Sequence, residues 1–296
     1  MTERTMTLHK TFSPARVAAI ASNTLLELIR LKVFYFLLLF ALATIGCSLI
    51  LIDFTFQEQF QVLKDVSLGS MSIFTWLLAV LPTAMLLPKD VEDRTLYTIL
   101  AKPVPRFEYL LGKLLGVLAQ LAIATLVMSA VFVLVLYTYE HKEMAEAVRK
   151  TEPAELQAIL QGIHDAAFNI NLLQGIILIF LKAAFCASLT LLISTFSSSW
   201  IFTVIVSAVI YFIGNIQWIA REAWQQHAAG LSLVSTTFLA GVSIFFPDLH
   251  IFTVVDDVVV GLKIPMDVFL KASALGVSYT IFYLLVAYLL FAWKEL

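Results

Sequence analysis

The sequence predicts an all-α integral membrane protein. Six transmembrane helices follow an amphipathic interfacial helix, and a short helix sits in the polar connection between the second and third spans. Three observations carry this reading. Of 296 residues, 60% are hydrophobic and only 14% are charged, well short of the roughly 25% that coats a soluble domain. Several stretches of about 20 residues contain no charge, the length a helix needs to cross the hydrocarbon core. The remaining charge is gathered into islands, one of which, residues 89–113, holds five basic and four acidic side chains in 25 residues.

The N-terminal helix is read over residues 13–31, in "SPARVAAIASNTLLELIRLK". Ser13 suits an N-cap, with Pro14 at the first helical position. Val17, Ile20, Ala21, Thr24, Leu25 and Leu28 share one face, and Arg16, Asn23, Glu27 and Arg30 fall largely on another. That pattern suits a helix lying in a membrane interface; a simple extension of the first span is the alternative. The spans are read at 33–52, 66–88, 114–139, 172–193, 200–218 and 272–293. Residues 183–220 are uncharged for 38 positions, too long for one crossing, and "STFSSSW" (194–200) divides them. Residues 140–171 form a polar outer segment in which Thr151 caps a helix with Pro153 in its first turn. Residues 231–247 are apolar but too short to span, which suits a re-entrant or interfacial segment. The chain, 1–296, is then one transmembrane domain.

Within the island, "DVEDRTLYTIL" (90–100) reads as a short helix. Asp90, Glu92 and Asp93 fall at its N-terminal end, where the helix dipole favours acids. Val91, Leu96, Ile99 and Leu100 give it an apolar side. "KPVPR" (102–106) stops it, because the residue before each proline is pushed out of the helical region. A new helix starts near Phe107 and becomes the third span.

Orientation follows from Lys and Arg near the span ends. With the N-terminus inside, the inner segments hold eleven basic residues in about 65 positions, and the outer segments hold seven in about 100. Both termini and the island 89–113 are therefore expected in the cytoplasm.

No catalytic constellation is legible. HExxH, GxSxG and paired metal-ligand spacings are all missing, so no catalytic residue and no metal ligand is assigned. Gly112-Lys113 resembles the end of a phosphate loop. That loop needs a glycine five residues before Gly112 and a Ser or Thr after the lysine; Phe107 and Leu114 stand there. Cys47 and Cys186 lie in apolar runs and read as small hydrophobes. Lys182, in the middle of the fourth span, is a candidate pathway residue, since an intramembrane charge is costly; snorkelling is the bland reading. Gln120 and Asn215 read as helix-to-helix hydrogen-bonding groups.

The island itself, with its acidic residues, Arg94-Thr95, "KPVPR" and "LLGK", resembles the cytoplasmic loop of type-2 (ABC-2) ABC transporter permeases. "QEQFQVLKDVSLGSMSIF", "FFPDLHIF" and the terminal "FAWKEL" look similar to these permeases too. The resemblance implies a permease subunit of an exporter in the cytoplasmic (inner) membrane. It implies a separate ABC ATPase as partner, with ATP and magnesium on that chain and no cofactor here. A second permease copy as homodimer and an outer accessory protein at 140–171 are further implied partners, besides the lipid bilayer; no nucleic acid is expected. The helix at 90–100 would be the coupling helix. Asp90, Glu92, Asp93, Arg94, Thr95, Leu96, Ile99, Leu100, Pro103 and Arg106 are the expected ATPase-coupling residues. The alternative is a secondary transporter or channel using Lys182 as its charged pathway residue.

Overall fold

A computed structural model describes residues 12–52, 59–92, 104–150, 155–227, 249–253, 258–259 and 264–293. The main elements are α1 (Pro14–Ile29), α2 (Lys32–Ile52), α3 (Gln59–Glu92), α4 (Arg106–Lys150), α5 (Leu156–Ala167), α6 (Ile170–Phe196), α7 (Trp200–His227), a 3-10 turn (Leu249–Thr253) and α8 (Met266–Trp293). All regular structure among the described residues is helical, and six of the helices are long and apolar enough to cross a membrane. The architecture is that of a multi-pass membrane protein.

The helix ends follow local chemistry. Residues 30–31 separate α1 from α2, which begins one residue before the expected span. Ser197 closes α6 in an extended conformation and α7 starts at Trp200, so the serine-rich stretch does break the long apolar run. Several helices overrun their expected spans. α4 is 45 residues long, about 67 Å at 1.5 Å per residue, or roughly twice the hydrocarbon thickness. Nothing in "EHKEMAEAVRK" (140–150) interrupts it, because Glu, Lys, Ala and Met are strong helix formers. Residues 140–150, expected in an outer segment, therefore continue α4, and α5 follows with Glu155 flanking its start; the cap expected at Thr151 lies outside the described residues, as do residues 231–247. α3 runs on through Pro82 and Pro88. Each proline frees a carbonyl four residues earlier, which a helix packed among other membrane helices tolerates.

α3, α4 and α6 form the centre of the bundle. α2 packs on α3 and α4, α7 on α6 and α3, and α8 on α6 and α4. The candidate span that includes α6 is 72% enclosed, against 17% for 200–218 at the periphery. The peripheral helices turn Phe36, Leu39, Phe202, Ile205, Phe212 and Leu289 outward, as a chain solvated by lipid tails does. Cys186 is buried; Cys47, expected to be buried, is exposed on α2, because it lies on the outward face of a peripheral helix.

The face of α1 read from the sequence is its packing face. Val17, Thr24 and Leu28 are buried and Ile20, Ala21 and Leu25 are partly covered. What covers them is α4, however, rather than an open interface. Gly112 and Gly116, four residues apart, let the two backbones close up: a Cβ at Gly116 would meet Thr24 Cβ at 2.6 Å and the Ala21 carbonyl oxygen at 2.8 Å. Small residues at this spacing are a recurrent device for close helix packing in membranes.

Candidate functional site: a polar knot at one end of the bundle

The island's two ends converge where α3 finishes and α4 begins. Asp90, Glu108 and Lys113 are all nearly inaccessible, at 8%, 1% and 4% exposure. Burying charge is costly unless it is paired, and each of these is paired. Lys113 Nζ lies 2.7 Å from Asp90 Oδ2 and 3.6 Å from Glu27 Oε2. Lys89 Nζ donates to Glu27 Oε1 at 2.9 Å. The Tyr109 hydroxyl donates to Asp90 Oδ2.

Glu108 binds α1. Arg16 donates to its two oxygens from Nε and Nη2 at 2.7 and 2.9 Å, and the Ser13 backbone N–H donates to Oε1 at 2.9 Å. This two-pronged arrangement is the geometry a guanidinium and a carboxylate favour. The hydrogen bond to Glu108 raises the Arg16 pKa above its ordinary value. Ser13 sits at the N-cap in extended conformation but makes no side-chain cap bond; its backbone N–H is used instead.

Arg106 reaches the other end of the chain. Its Nη1 donates to the Phe291 and Ala292 carbonyl oxygens at 2.8 and 2.7 Å, which places a cation on the otherwise unsatisfied carbonyls at the C-terminus of α8. The guanidinium also lies 5.7 Å from the Phe291 ring centroid. Tyr109 stacks on Phe291, and Phe107 meets Tyr288 edge-on. The first turn of α4 therefore holds the N-terminal helix, the end of α3 and the last helix together.

These contacts revise the local reading of the island. Asp90, Val91 and Glu92 are the last turn of α3, not the start of a new helix, so the dipole there disfavours acids. Lys89 and Lys113 supply the opposing charge. Asp90 and Arg106, expected to face a partner, are engaged within the chain, while Glu92 is exposed. Asp93, Arg94, Thr95, Leu96, Ile99, Leu100 and Pro103 lie outside the described residues. Sequence reasoning placed Arg16 and Glu27 only on the polar face of α1 and did not single out Glu108, Tyr109 or the Gly112/Gly116 pair; the four-residue glycine spacing was the available signal.

Lys182 does not stand alone. Its Nζ donates to Asn215 Oδ1 at 3.1 Å and lies 5.2 Å from the Tyr211 ring centroid. Asn215 Nδ2 in turn donates to the Tyr211 carbonyl at 2.8 Å. Asn215 thus bonds helix to helix as expected. Gln120 does not: it is fully buried, and neither polar atom of its side chain has a hydrogen-bond partner among the described residues. At the opposite end of the bundle, Lys64 Nζ donates to the Ala166 carbonyl at 2.5 Å and Glu140 pairs with His164 at 2.7 Å, fixing α5 to α3 and α4. Among the described residues, no group of three or more His, Cys, Asp or Glu is placed to hold a metal.

Set against protein-family models and against curated proteins, the chain matches none.

Proposed function

We propose that this chain is the membrane-spanning subunit of an ATP-driven ABC-2-type exporter, in the inner membrane with both termini cytoplasmic, acting as a homodimer with a separate ATPase. ATP and magnesium belong to that partner. One observation carries the reading. The connection between α3 and α4 is anchored at both ends in a buried ionic knot that also grips α1 and α8. A force applied to residues 93–103 from outside would therefore reach four helices at once. A merely polar connector needs no such anchoring, and a buried ion pair is by itself weak evidence of added stability. Asp90 and Arg106 then serve as anchors of the coupling loop. Glu92, Asp93, Arg94, Thr95, Leu96, Ile99, Leu100 and Pro103 supply its docking surface.

The test is co-purification. An ATPase encoded beside this chain is expected to co-purify with the wild type and to be lost on Glu92→Arg or Leu96→Asp. A variant that inserts normally and keeps the ATPase would remove the coupling role.

A further inference from the structure

A groove of about 460 Å³ opens where α1 turns into α2, lined by Asn23, Leu26, Glu27, Arg30, Leu31 and Lys89. That volume lies within the range of small-molecule sites. Its charge is the first clue. Glu27 is held by Lys89 at 2.9 Å and Lys113 at 3.6 Å, so its carboxylate is neutralised from behind. Arg30 is exposed, and its guanidinium has no ion-pair or hydrogen-bond partner among the described residues. Lys32, two residues on, is exposed as well. Lys89 and Lys113 together balance Glu27 and Asp90, so the elbow's net positive charge comes from Arg30 and Lys32, with the Arg30 guanidinium turned outward.

Position is the second clue. The apolar run of α2 starts immediately after Lys32, and its outward side chains include Val33, Tyr35, Phe36 and Leu39, at 37%, 56%, 67% and 70% exposure. Leu26, on the groove's own wall, is 52% exposed. A ligand seated here meets cations at one end and a continuous greasy helix face at the other.

We propose that this elbow binds the headgroup of an anionic phospholipid, with its phosphate on Arg30 beside the Lys89–Glu27 pair and its acyl chains along Phe36 and Leu39. Basic pockets beside membrane helices recognise anionic headgroups in this way. Free inorganic phosphate shares the charge but would not use the apolar face. The inference rests on the membrane-spanning architecture and not on the ATP-driven reading, and its readout involves no transport.

The test uses the full chain in nanodiscs of phosphatidylcholine with phosphatidylglycerol, followed by native mass spectrometry of retained lipid. Wild type is expected to retain phosphatidylglycerol selectively. Each of Arg30→Gln and Lys89→Gln should reduce retention by roughly fivefold and the pair by roughly 25-fold, the loss for one or two surface cations. Arg30→Lys should retain it. Lys142→Gln, at the far end of α4, makes the same charge change away from the groove and should leave retention unaltered. Equal loss in Lys142→Gln, no loss in the double variant, or full displacement by millimolar inorganic phosphate would each overturn the proposal. Arg30 and Lys89 are surface residues, and an unshifted gel-filtration profile separates loss of lipid from loss of fold.

Discussion

Replacing Gly116 by alanine tests the packing that seats α1. The new Cβ would lie 2.6 Å from Thr24 Cβ and 2.8 Å from the Ala21 carbonyl oxygen, where carbon contacts settle at about 3.5–4.0 Å. Neither neighbour is the loose end of a flexible side chain, so α1 must retreat by about 1 Å. That shift also opens the two short bonds from Arg16 to Glu108. Overpacking of this kind costs about 1–3 kcal/mol, while a helical Gly→Ala change returns roughly 1 kcal/mol of backbone propensity. Gly46 and Gly69 supply the internal control, since a Cβ at either meets nothing within 4 Å. Gly116→Ala should therefore fall below Gly46→Ala by about 1–3 kcal/mol, read as thermal unfolding of the detergent-solubilised protein at roughly 2–4 °C per kcal/mol. Amide exchange in α1 should accelerate in Gly116→Ala and not in the controls. If Gly116→Ala proves as stable as Gly46→Ala, with α1 exchange unchanged, the close α1–α4 packing is refuted.

Two further outcomes follow from the buried charges. Arg16→Ala strands the nearly inaccessible Glu108 carboxylate, so the unfolding temperature should drop, and adding Glu108→Gln should recover part of the loss because no uncompensated charge then remains; a double variant no better than the single would contradict the pairing. Lys182→Met keeps the side-chain length without the charge and should unfold within about 1 kcal/mol of wild type, whereas Asn215→Leu leaves Lys182 short of its acceptor and should cost about 1–3 kcal/mol; the reverse order in a chemical-denaturation series would sink the assigned roles.

Six helices long and apolar enough to cross a membrane among the described residues, the α6–α7 break and the apolar face of α1 were all legible in the sequence, because each is a local property. A bilayer demands about 20 apolar residues wherever a helix crosses, serine-rich stretches interrupt apolar runs locally, and 3.6-residue periodicity marks a helix face without reference to a partner. The same local reasoning misplaced Asp90 and Glu92. Acids in sequence before a Thr-Leu run look like a helix start, but α3 continues through Pro88 because its neighbours enclose it, and those acids end up in its last turn.

What the sequence by itself determined is therefore the membrane class, the helices long and apolar enough to cross, and the gathering of charge into the connections between them. Partnership was decided only by the tertiary structure. Arg16 and Glu108 are 92 residues apart, and Arg106 and Phe291 are 185 apart; no periodicity or propensity links such positions. Glycine spacing on α4 sets how near α1 comes, and that distance decides whether Glu108 is a solvated surface acid or a buried carboxylate clasped by a guanidinium. Charge count is written along the chain, whereas its pairing depends on which charged side chains the bundle brings within about 3 Å of one another.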